Sequence, residues 1–254
     1  MSSTQVRLDF PDSSHAAITF YTENGLNILT AELLRTFGAH VAKVHRDPRI
    51  RTTVIQALGK VFIAGADIKE MVNFTPEQAR EYAKLGHGIF ADVSALPSLT
   101  IAAMQGPALG GGLELALSCD FRIAVKSAKL GAPEVTLGLI PGWGGIGRLA
   151  KLIGQARAKK LYLSGIPISG EDAHQWGLVD EVVNSPEDLQ HRVAAFCKAF
   201  QRASPAAVAL AKRASRDFDE LSAFSECFST TQGQEGMAAF LEKRPASWME
   251  TRGV

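Results

Sequence analysis

LTIAAMQGPALGGGLELALSCDFRIAV, residues 99–125, decides the fold class. Leu99–Met104 is an unbroken apolar run of strand length, the mark of a buried strand. A glycine-rich turn, Gly106–Gly112, follows it. Leu113–Ser118 carries helix-forming residues, and Phe121–Val125 reads as a second strand. Strand, turn, helix and strand within 27 residues describe an α/β core with crossover connections.

The same alternation extends in both directions. Val6–Phe10 and Ala16–Tyr21 read as short strands joined by the turn Pro11-Asp12-Ser13-Ser14. Thr30 suits a helix N-cap, with Leu33, Leu34, Phe37, Val41 and Val44 on one apolar face and a stop near Asp47-Pro48. Ile50–Ala57 reads as a strand and Gly59–Asp67 as a loop, and Pro76 opens a helix that runs to about Ala95. From Ser185 onward the pattern is almost wholly helical, with starts at Ser185-Pro186 and Ser204-Pro205. The expected division is an α/β core over residues 1–190 and a helical C-terminal region over 191–254.

Bulk properties exclude several classes. The chain has 254 residues, 46% apolar and 21% charged, the balance of a folded globular protein rather than a disordered or fibrous one. A net charge of +1 gives no field to attract nucleic acid. The three cysteines are widely spaced and form no CxxC pair, which fits a reducing compartment. No apolar run approaches the roughly 20 residues that span a bilayer. The expectation is a cytoplasmic protein with no membrane and no nucleic-acid partner.

Three segments carry candidate chemistry. FIAGADIKEM (62–71) places small residues after a strand, where a backbone can approach a ligand closely, although an ordinary strand-to-helix turn looks the same. GPALGGGLE (106–114) leads three glycines into a helix start, whose free N–H groups favour negative charge. Glu114 lies in that first turn, where it could equally compensate the helix dipole. GAPEV (131–135) surrounds Glu134 with small and apolar residues. Desolvation there would raise its pKa and suit it to donate a proton, though a surface-loop glutamate fits the same residues. Together the segments offer two carboxylates and two backbone-exposing loops. Hydration of an α,β-unsaturated thioester needs that set: a group to activate water, a group to handle the α-carbon proton, and N–H donors for the enolate oxygen.

FIAGADIKEM, GPALGGGLELALSCD and GAPEVTLGLIPGWGG resemble, in order and spacing, the three signature stretches of the crotonase, or enoyl-CoA hydratase/isomerase, family. QEGMAAFLEKR resembles that family's C-terminal ending. The resemblance covers essentially the whole chain. It implies a spiral of ββα units with a helical C-terminal trimerisation region, assembled as a homotrimer or as a homohexamer, a dimer of trimers. It implies an enoyl-CoA hydratase, adding water syn to a trans-2-enoyl-CoA. Glu114 would be the base that activates water and Glu134 the acid at the α-carbon, their titrations coupled. The N–H groups of Ala66 and Gly111 would form the oxyanion hole, and Gly142 would hold the water by its backbone. Ala64, Ala66, Asp67, Ile68 and Lys69 fall in the stretch that lines CoA. Phe240 and Lys243 match positions that reach the CoA of a neighbouring subunit. CoA is part of the substrate, so no separate cofactor and no metal are implied. Other reactions of the family, namely double-bond isomerisation, dienoyl-CoA hydration and acyl-CoA hydrolysis, use the same oxyanion hole. A non-catalytic, RNA-binding relative is a further alternative.

Two features depart from the family pattern. Asn24 stands where a basic residue often contacts a CoA phosphate, and Ile146-Gly147 replaces a commonly more polar pair. The six histidines show no ligand pairing, and no GxSxG elbow, GxGxxG or P-loop occurs. Cys119 reads as core and the Arg157, Lys159, Lys160 group as a solvated helix face. His87, Phe90 and Trp143 are candidates for the acyl pocket, which the 76–95 helix and C-terminal residues would line.

Overall fold

The computed structural model describes residues 3–249. A hairpin of β1 (Gln5–Asp12) and β2 (His15–Tyr21) opens the chain. Its turn is made by Asp12, whose carboxylate accepts the N–H groups of Ser14 at 2.7 Å and His15 at 3.0 Å. Thr30 caps α1 (Ala31–His45) by accepting the Leu33 N–H at 3.1 Å. That helix buries Leu33, Leu34, Phe37, Val41 and Val44, each worth about 1.5–3 kcal/mol of hydrophobic stabilisation.

β3 spans Thr52–Ala57, two residues later than the apolar run beginning at Ile50 suggests. The Ile50 N–H is taken by the Asp47 carbonyl at 3.1 Å, so the chain is still turning there. One helical turn, α2 (Ile68–Met71), follows, capped by Asp67. Then comes α3 (Pro76–Ala95), begun by a reciprocal capping box of Thr75 and Gln78.

The deciding stretch contains β4 (Leu99–Met104), β5 (Ala108–Leu109), α4 (Gly111–Ser118) and β6 (Phe121–Val125). The expected turn over Gly106–Gly112 is therefore shorter. Ala108–Leu109 pair with β7 (Lys129–Gly131), and Gly111 and Gly112 are the first residues of the helix. The reason is contact: a Cβ on Gly112 would lie 2.3 Å from the Ile63 carbonyl oxygen, so only glycine lets this helix start against that backbone.

A 3₁₀ turn at Pro133–Leu137 leads to α5 (Gly145–Ser164), interrupted at Gly154. β8 (Ile168–Ser169), α6 (Gly170–Gln175), β9 (Glu181–Val183) and α7 (Pro186–Ala199) complete the core. Three helices follow: α8 (Pro205–Asp217), α9 (Glu220–Cys227) and α10 (Thr231–Leu241). The main sheet runs β1-β2-β3-β4-β6-β9, all parallel except the β1–β2 pair, and a smaller sheet runs β5-β7-β8.

β4 is buried on both faces. Leu99, Ile101 and Ala103 join Leu189, Val193 and Cys197 of α7. Ala102 and Met104 join the larger core with Phe20, Phe37, Leu113 and Phe90. The dividing line at residue 190 falls inside α7, which this packing ties to the sheet. The helices beyond it are tied on by Lys212 of α8, whose ammonium donates to the Ser98 carbonyl at 2.6 Å and to Asp120 at 2.5 Å.

Arg122 anchors the end of α4. Its guanidinium is buried and donates to the carbonyls of Cys119 (2.8 Å), Leu178 (2.9 Å) and Asp120 (3.0 Å) and to the Asp180 carboxylate (3.1 Å). Removing it strands several buried acceptors together. Arg122→Met should therefore lower unfolding free energy by about 3–5 kcal/mol. A urea titration checks this, and an unchanged midpoint would refute the anchoring role.

Candidate active site

The helix start of α4 and three loops meet around one cavity of about 280 Å³. Ala64, Ala66 and Ile68 line it from the segment after β3. Gly111 and Glu114 come from α4, Glu134 from the 3₁₀ turn, and Gly142 and Trp143 from the loop before α5. Met71 from α2, Phe74 from the segment that follows it and Tyr82 from α3 close it, and Leu137, Leu139 and Ile140 stand at its rim.

Glu114 is 3% exposed. Its Oε1 accepts the main-chain N–H groups of Trp143 and Gly145, both at 2.8 Å. The fit is close: a Cβ on Gly145 would lie 2.9 Å from that carboxylate. Burial pushes the Glu114 carboxyl up to about 7, opposed by the two N–H donors. The charge of Glu134 adds to the rise and the guanidinium of Arg148 opposes it. Arg148 donates to the Trp143 carbonyl at 2.7 Å, so it braces the loop that clamps Glu114.

Glu134 is held differently. Its main-chain carbonyl accepts the Leu139 N–H at 3.0 Å, which fixes the turn. Both carboxylate oxygens are buried and have no hydrogen-bond partner among the described residues. Desolvation raises its pKa. Its Oε1 lies 3.2 Å from where a Cβ on Gly110 would sit, and Gly110 has φ 51°. Glycine at 110 thus serves twice, by adopting a left-handed turn and by admitting the carboxylate.

Two main-chain donors stand beside these carboxylates. Neither the Ala66 nor the Gly111 N–H makes a hydrogen bond among the described residues. Gly111 is the first residue of its helix, so its N–H has no intrahelical acceptor. Ala66 sits in a bridge with Leu29, whose bonds run through the Gly65 carbonyl and the Asp67 N–H and leave the Ala66 N–H unused.

Of the residues singled out from sequence, Ala64, Ala66, Ile68, Gly111, Glu114, Glu134, Gly142 and Trp143 line the cavity, and Asp67, Lys69, Phe240 and Lys243 do not. Asp67 caps α2 by accepting the Lys69 N–H at 2.9 Å, and the Lys69 side chain is exposed. Phe240, on α10, is 83% exposed, and Lys243 follows it at φ 55°. Asn24 folds back on its own turn and accepts the Leu26 N–H at 2.9 Å. Phe90 is buried behind Trp143, in edge-to-face contact at 5.5 Å, and His87 is exposed outside the cavity. Among the described residues, none of the C-terminal helices lines the cavity, whereas the expected acyl pocket included C-terminal residues. Sequence reading passed over Phe74, Tyr82 and Arg148. The apolar period of α3, with Tyr82, Ile89 and Phe90 on one face, could have exposed Tyr82; the other two carry no local signal.

No group of three metal-binding side chains occurs among the described residues, and no helix there is long and apolar enough to cross a membrane.

Residues 12–251 match the family described as enoyl-CoA hydratase/isomerase. The chain is 41% identical over 235 residues to a crotonyl-CoA hydratase of Syntrophomonas wolfei, covering 88% of this chain and 90% of that protein. It is 36% identical over 248 residues to a short-chain-enoyl-CoA hydratase of Clostridium acetobutylicum, covering 93% and 95%. The solved structure of an enoyl-CoA hydratase from Bacillus anthracis superposes with a TM-score of 0.88 at 35% identity, over 95% of this chain and 98% of that one. A match along nearly the whole length, relatives more than one-third identical and the shared α/β architecture together place the chain in the enoyl-CoA hydratase/isomerase, or crotonase, family.

Proposed function

We propose that this chain is an enoyl-CoA hydratase, adding water reversibly across the double bond of a trans-2-enoyl-CoA to give a 3-hydroxyacyl-CoA. The observation that carries the reading is the pairing of two desolvated carboxylates with two unused amide N–H groups in one cavity. The thioester oxygen accepts from Ala66 and Gly111. Glu114 takes a proton from water as the oxygen adds to the β-carbon, and electrons move onto the thioester oxygen. Glu134 then protonates the α-carbon as the enolate collapses. Fixed N–H dipoles at the oxyanion need no reorganisation during the step. A base with its pKa near neutrality balances availability against basicity. Gly142, which lines the same cavity as both carboxylates, holds the water by its backbone. Isomerisation in this family generally keeps one glutamate, so the retained pair favours hydration.

Acid, base and oxyanion donors all come from the chain, so the reaction calls for no metal or redox cofactor. Phe240, exposed on α10, and Lys243, exposed just after it, face a neighbouring subunit's CoA in this reading. Phe218, Leu221, Phe224 and Leu241 are also exposed on the C-terminal helices, which supports assembly as a trimer or a pair of trimers. The three unpaired cysteines, two of them buried, support a cytoplasmic setting.

Glu114→Gln and Glu134→Gln should each slow hydration of crotonyl-CoA by about 10²–10⁴-fold. The measurement is loss of enoyl-thioester absorbance, and wild-type rates in both variants would refute the assignment. In the wild type, kcat/KM should fall as pH drops below about 7 and Glu114 protonates. A flat profile would contradict the roles.

The same burial leaves a signature in folding. In the folded state Glu114 keeps its proton up to about 7, and in the unfolded state it releases it near 4.5. Wild-type stability from this group is therefore full below 4.5 and is lost as pH rises to about 7. Glu114→Gln has no such loss. The difference in Tm between variant and wild type should grow from pH 4.5 to 7 and then level off. A pH-independent difference would show that burial does not raise this carboxyl.

A further inference from the structure

We infer that Trp143 is the floor of the acyl pocket and restricts the substrate to short acyl chains. The inference rests on the hydratase reading for its chemistry and on packing for its argument. Exposure falls steadily into the cavity. Ile140, Leu137 and Ile68 stand at 68%, 58% and 45%, whereas Tyr82, Trp143 and Glu114 are nearly sealed at 7%, 4% and 3%. The reacting carbons lie at Glu114 and Glu134, so the tail beyond them meets the sealed end.

That end cannot yield easily. The Trp143 ring is wedged between α3 and α4 at two glycines. A Cβ on Gly111 would lie 2.3 Å from it, and a Cβ on Gly86 would lie 2.4 Å from it. Its indole N–H donates to the Tyr82 carbonyl at 3.3 Å. Tyr82 meets it edge-to-face at 5.3 Å, and Phe90, fully buried, backs it at 5.5 Å. Phe74 extends the same aromatic wall through Tyr82 at 5.5 Å. Rotating the indole outward would sacrifice these contacts, and the interior behind it is already close-packed.

Two substitutions move the floor in opposite directions. Trp143→Phe keeps an aromatic ring and removes the second one, deepening the pocket. Gly86→Ala adds a methyl behind the ring and drives it into the pocket; Gly86 itself does not line the cavity. Hydration of trans-2-butenoyl-, trans-2-hexenoyl- and trans-2-decenoyl-CoA is compared for each protein, with thermal melts to confirm folding. Binding of butanoyl-, hexanoyl- and decanoyl-CoA by titration calorimetry reads the same floor without chemistry. A tight pocket discriminates single methylenes by about 10-fold or more. The wild type should thus prefer butenoyl over decenoyl by at least about 100-fold in kcat/KM, and Trp143→Phe should narrow that ratio by about 10-fold. Gly86→Ala should lower hexenoyl turnover more than butenoyl turnover.

Equal wild-type kcat/KM for butenoyl and decenoyl substrates would overturn the floor and leave hydratase activity standing. An unchanged ratio in folded Trp143→Phe would do the same. If the wild type hydrates none of the three, the hydratase reading fails. The calorimetric series then decides the floor alone, with affinity falling along the chain-length series supporting it and affinity rising with length overturning it.

Discussion

Glu114 is a carboxylate sunk into a hydrophobic interior and grasped by two main-chain amides, and the rest of the site is arranged around that fact. Without the N–H groups of Trp143 and Gly145, the charged form would have almost no compensation at that depth. With them it remains ionisable near neutrality. The clamp in turn requires the 142–145 loop to close over the start of α4. That closure needs Gly145 against the carboxylate, Gly111 against the indole and Arg148 holding the Trp143 carbonyl. Chemistry and packing share the same few atoms.

The fold supplies the approach of α4 to that loop. β4 is packed on both sides and cannot shift, and α4 begins one tight connection later, against the Ile63 backbone. Arg122 fixes the far end of α4 by gathering the carbonyls of Cys119, Asp120 and Leu178. The helix carrying Glu114 is therefore held at both ends. Glu134 arrives from a separate loop and owes its position to a single 3₁₀ turn and to the missing side chain at Gly110.

Much of this was legible in the sequence because it depends on local rules. The Thr30 cap, the five-residue apolar face of α1 and the limits of α3 and β4 follow from capping chemistry and periodicity, and the structure has them at those residues. Periodicity cannot see a glycine whose purpose is contact. Gly111 and Gly112 read as turn residues, yet they are helical, because the constraint is the distance to Ile63 and Trp143, far away in sequence. The segments after residue 125 hold strands of only two or three residues, too short to carry an alternation. In the site, the two glutamates and the small-residue loops were visible as motifs. Trp143 stood out as an acyl-pocket candidate, but its partners Phe74 and Tyr82 did not, because the aromatic wall is assembled from segments far apart in sequence. The Asp67 side chain falls outside the cavity for an equally local reason: it is spent on capping α2, where it accepts the Lys69 main-chain N–H, and the Lys69 side chain is exposed.

A side chain that titrates near 7 exists at neutrality as two populations of comparable size, one holding its proton and one not. In the proposed hydration the deprotonated form takes the proton from water, and in the reverse direction the protonated form gives it to the departing hydroxide. Neither direction has to wait for a rare charge state. Such a catalyst imposes no arrow of its own; mass action in the surroundings sets which way carbon–oxygen bonds are made or broken.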